Sequence, residues 1–291
     1  MQQLPQFVRL DSTLLSFIID CTANTPALLY FGPALSPDVL PDSVKALSQR
    51  QEAKCASVDE VPISFTPLNG EGFTGAPGIE LHDETLAWSF GPQLVSVSFP
   101  TAHSVRLVSA DPHRQLTLEH YFLLDPQSNV LASETTITNN ADRALLINWC
   151  AAPSMLLPDH LTQVTGFEGR WSNEFQQHRR DLFVGAYFRE NRKGKTSHDN
   201  FPGVLVHHAA CTEQAGDCFG FHLGWSGNHR TRVELLADGR SYLQMGELLL
   251  PGEVQLAAQQ SYTSPTLYSS FSHAGFFINE FSSLCAPAAA K

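Results

Sequence analysis

Three runs concentrate the side chains most able to bind or react. The first is Phe167-Glu168-Gly169-Arg170-Trp171-Ser172-Asn173-Glu174-Phe175, the second spans residues 189–203, and the third is Gly224-Trp225-Ser226-Gly227-Asn228-His229-Arg230. Indole faces that stack on sugar rings, beside planar guanidinium and amide groups that bond hydroxyls, are what carbohydrate recognition requires. The same composition describes structured loops whose arginines cap carbonyls or meet another domain, and composition by itself favours that plainer account.

Other chemistries find less support. Gly70-Glu71-Gly72-Phe73-Thr74-Gly75 has the spacing of a dinucleotide-binding loop, but such a loop must open a helix, and Ala76-Pro77-Gly78 follows it. It is expected to be a glycine-rich loop that admits a ligand or partner closely. His207, His208, Cys211, Cys218 and His222 resemble a zinc cluster only in composition. Adjacent strand residues point to opposite faces, and the cysteine spacing lacks a short knuckle, so no metal site is expected. His120 shares a face with Leu116 and Phe122 and is expected to be a core histidine. Gly224-Trp225-Ser226-Gly227-Asn228 is not a nucleophile elbow, because Asn228 stands where glycine is needed. Glu134, Glu168, Glu174 and Glu234 are carboxylates that a fold can pair for glycosidic chemistry, although nothing in their spacing pairs them. No cofactor is expected.

The elements that position these residues read as strands. Val95, Val97 and Phe99 alternate with Ser96 and Ser98, and Leu116, Leu118 and Phe122 alternate with Thr117 and Glu119. Further strands are expected over 14–20, 27–31, 130–138, 145–149, 182–189, 204–208, 219–225, 232–237, 241–245, 254–258 and 262–267. Asp238-Gly239 marks a tight hairpin between two of them. So many strands predict two large antiparallel sheets packed face to face. Helical signal is confined to 43–51, capped by Asp42 with Val44 and Leu47 inward, and to 270–284, where Phe271, Ala274, Phe277, Phe281 and Leu284 form a stripe. With 291 residues and no internal linker, one domain over 1–275 is expected, followed by a C-terminal helix and Ala-rich tail over 276–291.

Composition narrows the partners. Lys and Arg number 18 against 29 Asp and Glu, a formal charge of −11, so phosphate backbones and anionic membrane surfaces are not expected partners. No apolar stretch approaches the about 20 residues that span a bilayer, and no basic head with a cleavage site opens the chain. Six cysteines without a C-x-x-C pair suggest reduced thiols and a cytoplasmic location.

Residues 189–203, read with 224–230, 233–239 and Gly246-Glu247-Leu248-Leu249-Leu250-Pro251-Gly252-Glu253, resemble the N-terminal region of bacterial α-galactosidases of glycoside hydrolase family 36. The likeness extends to Ser261-Tyr262-Thr263-Ser264-Pro265, to Tyr30-Phe31-Gly32 and to Gly72-Phe73-Thr74-Gly75-Ala76-Pro77-Gly78, covering about residues 25–275. It implies a β-supersandwich of the galactose-mutarotase-like kind. It also implies, for a whole enzyme, retaining hydrolysis of melibiose- and raffinose-type α-galactosides by two Asp of a following (β/α)8 barrel, and a homo-oligomer. The family's Lys-Trp-Asp nucleophile motif is absent, since Trp88, Trp149, Trp171 and Trp225 precede Ser89, Cys150, Ser172 and Ser226. Its acid/base motif is absent too, so no catalytic residue carries over. Gln259-Gln260 replaces a usual Gly-Glu pair, and the residues after Gly275 depart from the family's helix, which suggests a truncated member.

The expected role is therefore that of a non-catalytic N-terminal domain. Its substrate-binding or barrel- and subunit-contacting edge would comprise Arg170, Trp171, Arg192, Ser197, His198, Asp199, Trp225, Asn228, His229 and Arg230. α-Galactosides would be bound only together with the barrel. The alternatives are a free-standing carbohydrate-binding or oligomerisation module, and a mutarotase-like epimerase using His207 or His222 as acid and Glu234 as base.

Overall fold

The computed structural model describes residues 4–50, 61–196 and 199–275. In chain order its strands are β1 (Phe7–Asp11), β2 (Leu15–Asp20), β3 (Ala27–Pro33), β4 (Ile79–Asp83), β5 (Gln93–Thr101), β6 (Ser104–Asp111), β7 (Leu116–Asp125), β8 (Val130–Asn139), β9 (Leu145–Cys150) and β10 (Met155–Leu157). They continue as β11 (Gln163–Arg170), β12 (Asn173–Asp181), β13 (Gly185–Asn191), β14 (Gly203–His207), β15 (Cys218–Leu223), β16 (His229–Leu235), β17 (Ser241–Glu247), β18 (Val254–Leu256), β19 (Ser261–Thr263) and β20 (Leu267–Ser272). One helix, α1 (Pro41–Ser48), and one 3-10 turn, Asn69–Glu71, complete the described elements.

A ten-stranded antiparallel sheet runs in the order β12-β11-β14-β15-β20-β8-β7-β6-β5, with β19 also paired to β8. Three small antiparallel sheets accompany it: β1-β2-β3, β10-β17-β16-β13 and β18-β9-β4. Burial alternates strictly along β7, so Leu116, Leu118, His120, Phe122 and Leu124 share the inner face. Phe122 and Leu124 join the main apolar cluster with Phe17, Phe31, Val233, Leu243 and Met245, whereas Leu116 and Leu118 join Ile79, Ile147 and Leu256. One face of the large sheet thus packs on all three small sheets, which together form the second layer. That is the sandwich expected from the period-2 pattern.

His120 sits inside this interface as a core histidine. One ring nitrogen lies 3.2 Å from Thr66 Oγ1 and the other 3.4 Å from Thr135 Oγ1. The Asp238-Gly239 hairpin joins β16 to β17, with Gly239 at φ 86° where a side chain would be strained.

Several local expectations are corrected. α1 starts at Pro41 rather than Ser43, no side chain caps it, and Leu47 is 88% exposed instead of facing inward. The outer strand β5 turns Val95 and Phe99 to solvent and buries Leu94, because a register shift lies between Leu94 and Ser96. Residues 270–272 are not the start of a helix. They close β20, where Phe271 is buried in the main cluster by pairing with β15. Pairing across the sheet outweighs the helical spacing of this stretch. Phe277, Phe281 and Leu284, and with them the C-terminal helix and tail over 276–291, lie outside the described residues. The β11 and β12 pair and strands β1, β4, β6 and β10 were not expected.

Among the described residues, no helix is long and apolar enough to cross a membrane.

Candidate functional site

The first of the three polar and aromatic runs is a hairpin, β11 and β12, whose tip is Trp171-Ser172. Ser172 takes φ 66°, and Phe175 takes φ 58° at the register shift between Glu168 and Arg170. Gly169 faces that shift. A Cβ there would fall 2.3 Å from the Asn173 carbonyl oxygen, so only glycine permits the strands to approach. Phe175 folds back to stack on Phe167, with centroids 4.6 Å apart, and meets Phe201 edge-on at 5.0 Å. Trp171 remains 80% exposed at the tip beside exposed Arg170.

The second and third runs are sewn together by Asn191, which is buried at the end of β13. Its Nδ2 donates to the carbonyls of Lys195, at 2.7 Å, and Gly227, at 3.3 Å, while its Oδ1 accepts from the Lys193 amide. The Gly194 amide donates to Asn228 Oδ1 at 2.7 Å, and the Thr196 amide to the Ser226 carbonyl. Next to it, Glu190 binds Arg230 Nε at 2.9 Å and Arg192 Nε at 2.8 Å. The Arg230 guanidinium lies 4.7 Å from the Trp149 ring centroid and 5.6 Å from that of Phe188. Arg189 joins the loops to the hairpin, pairing with Glu168 and donating to the Asp199 carbonyl at 2.9 Å.

Arg192, Asp199, Trp225, Asn228 and Arg230 therefore belong to one bonded loop cluster, and Arg170 and Trp171 stand on the hairpin beside it. Trp225 is 37% exposed and Asp199 pairs with Lys193. His229 is different: it is fully buried, its Nδ1 lies 3.2 Å from the Gly227 carbonyl, and burial holds its pKa below the usual histidine value. Its place in β16 turns it inward, away from the edge on which it was expected. Ser197 and His198 lie outside the described residues.

Sequence reasoning included Glu190 and Asn191 in the second run without assigning them the organisation of the loops, and it missed the exposed apolar residues beside them. Phe183, Val184 and Phe188 are 61%, 66% and 45% exposed. With Glu168, Arg180 and Arg189, Phe183 and Phe188 border a groove of about 410 Å³. The only sequence signal was the apolar Leu182-Phe183-Val184 run, which reads equally well as a buried strand.

The carboxylates are dispersed. Glu134 accepts from Thr266, Glu168 pairs with Arg189 and His178, Glu174 accepts the Ser172 amide, and Glu234 bonds Tyr242. His207 is buried against Thr165 in the large sheet, whereas Glu234 belongs to the β10-β17-β16-β13 sheet. No hydrogen bond joins Glu234 to His207 or His222 among the described residues. Nor does any group of three or more His, Cys, Asp or Glu suited to a metal ion occur among them. The arrangement offers exposed aromatic faces and guanidinium groups for binding.

Residues 24–257 match the model of the glycosyl hydrolase family 36 N-terminal domain. The α-galactosidase of Escherichia coli is 34% identical over 272 residues, which cover 94% of this chain and 38% of that protein. Two solved structures share the fold. A family 36 α-galactosidase from Geobacillus stearothermophilus, in complex with raffinose, superposes with a TM-score of 0.82 at 18% identity, over 92% of this chain and 41% of its own. The α-galactosidase from Lactobacillus brevis gives 0.79 at 22% identity, over 95% and 40%. The chain spans about two fifths of the length of these relatives. The sandwich, its loop cluster and the match over residues 24–257 place the chain in the glycosyl hydrolase family 36 N-terminal domain family.

Proposed function

We propose that this chain acts as the non-catalytic N-terminal domain of an α-galactosidase, docking through its hairpin and loop cluster onto a catalytic barrel or a neighbouring subunit. The sandwich unit is residues 1–275. Hydrolysis of melibiose- and raffinose-type α-galactosides belongs to the whole enzyme, a homo-oligomer of the cytoplasm. The observation that carries this reading is the exposure of Trp171 and Phe175 on the hairpin and of Phe183, Val184 and Phe188 in and just before β13. Apolar side chains gathered on a surface and rimmed by charge mark an interaction site. Seven of the 18 Lys and Arg lie between Arg170 and Lys195 in an otherwise acidic chain, and three of them, Arg189, Arg192 and Lys193, are paired with Glu168, Glu190 and Asp199.

The test has two arms. The purified chain is expected to release no chromophore from a chromogenic α-galactoside, since Glu134, Glu168, Glu174 and Glu234 are each engaged by different partners. Turnover that survives repurification and disappears in Glu168→Gln would overturn the non-catalytic assignment. Co-expressed with the remainder of the Escherichia coli relative, the chain is expected to co-purify, and the double variant Trp171→Ala, Phe183→Ala to lose that association. Capture unaffected by the double variant would remove the hairpin from the interface.

A further inference from the structure

A separate cleft of about 860 Å³ lies on the other flank of the sandwich, between β3, the end of α1, the segment after β10, and the margin where β15 meets β20. Its polar centre is Asp217, just before β15. His160 Nε2 lies 3.1 Å from one carboxylate oxygen and His273 Nδ1 lies 2.6 Å from the other. The carboxylate therefore orients both rings. His273 is also held by the edge of Phe271, at 4.6 Å between centroids. Gly216 fixes the backbone beside Asp217 at φ 104°, where a Cβ would meet Cys211 Cα at 2.9 Å.

These groups retain unused bonding capacity. A carboxylate has about four lone-pair sites, of which the two imidazoles use two. Each ring keeps its second nitrogen, His160 Nδ1 and His273 Nε2, and a neutral imidazole can donate or accept there. The Tyr30 phenol is pushed up by burial and by the Asp217 charge, which puts it in the same cluster. Its hydroxyl donates to the Pro33 carbonyl at 2.8 Å and keeps its acceptor side open. The cleft's arginines are already neutralised: Arg50 pairs with Asp159 at 3.0 Å and Arg240 with Asp238 at 2.6 Å. An anion therefore finds no arginine without a carboxylate partner. Leu156 and Phe271 supply apolar surface beside the polar cluster.

We propose that this cleft is a binding site for a neutral sugar, held by hydroxyl bonds to Asp217, His160 and His273 and by contact of its C–H face with the apolar wall. The choice of a sugar among neutral polyols rests on the α-galactosidase reading, whereas the site itself rests on the cleft. Polar groups converging beside an apolar wall in a recess are a usual form of small-molecule site.

Saturation-transfer NMR on the full chain tests it, with D-galactose, melibiose and myo-inositol each presented alone. Transfer to the two sugars and little to myo-inositol is expected. Asp217→Asn and His273→Ala should weaken sugar binding about tenfold each, the effect of losing one charge-assisted hydrogen bond. Leu156→Trp, which enlarges a side chain in the cleft's apolar lining, should abolish it. Trp171→Ala should leave it unchanged. Melting curves identify any variant that fails to fold, and Leu156→Trp then decides the matter. Absence of transfer from the folded wild-type chain, or transfer that survives Leu156→Trp and disappears in Trp171→Ala, overturns the proposal. Equal transfer to myo-inositol overturns the sugar assignment. None of these results bears on capture of the catalytic remainder, so this proposal and the proposed function fail separately.

Discussion

His120 gives the sandwich a calculable sensitivity to acid. The ring is 2% exposed, packed near Phe65 and Phe122, and burial pushes its pKa down to about 3. In the unfolded chain it titrates near 6.5. Its folded value is the lower one, so its contribution is complete above pH 6.5 and is lost as pH falls toward 3, because only the unfolded state takes up the proton. Between pH 7 and pH 5 the two values translate into a loss of about 2 kcal/mol from this group alone. His207, His222 and His229 are held low by burial as well, so the whole chain should lose more than that. His120→Leu isolates the term. It strips Thr66 and Thr135 of a partner, at a cost nearly independent of pH, and removes the titration. Urea unfolding at pH 7 and pH 5 should show the variant less stable at pH 7, yet losing about 2 kcal/mol less on acidification. Parallel losses in the two proteins, or an NMR titration of His120 with a midpoint near 6.5, would refute the argument.

Arg230→Ala should cost about 1.5 to 3 kcal/mol of unfolding free energy, since it breaks a largely buried bond to Glu190 and the contact with Trp149. Arg230→Lys should recover only part, because the ammonium cannot reproduce the stacked plane; full recovery in calorimetry would show that charge alone matters. Burial raises the pKa of Cys21 to about 12 and also raises those of Cys150, Cys211 and Cys218, so these four should resist iodoacetamide at pH 8 until denaturant is added. Rapid native-state labelling at any of the four, located by peptide mapping, would contradict their burial.

Legibility of the fold followed the presence of a core face. β7 and β8 alternate buried and half-buried residues almost without exception, and both were expected from sequence. β20 was misassigned because Phe271 and Ala274 also fit a helical spacing, and only pairing with β15, distant in sequence, decides between the two. β5 was found but its faces were misjudged. Its apolar Val95 and Phe99 look inward by alternation, and a register shift that no residue type announces turns them out.

The hairpin at the candidate site escaped detection for a related reason. Seven of the nine residues from Asn173 to Arg180 and Asp181 are charged or amide-bearing, and the strand is exposed along nearly its whole length. A strand that projects beyond the core has no buried face, and so no period-2 pattern to betray it. The run was visible as chemistry, through its Trp, Phe and Arg content, while its geometry was invisible. The converse holds for His229, whose residue type suggested the edge although its position in β16 sends it inward. Residue type points to what a segment is able to bind, but which side chains reach solvent is set by the close approach at Gly169 within the hairpin and by the bonds of Glu190 and Asn191 to the third run. The exposed aromatic residues gain from this arrangement. Phe175, held on a bulged edge strand that also carries Arg179 and Arg180, is presented at the surface while the charge and the bulge disfavour strand-to-strand aggregation along that edge.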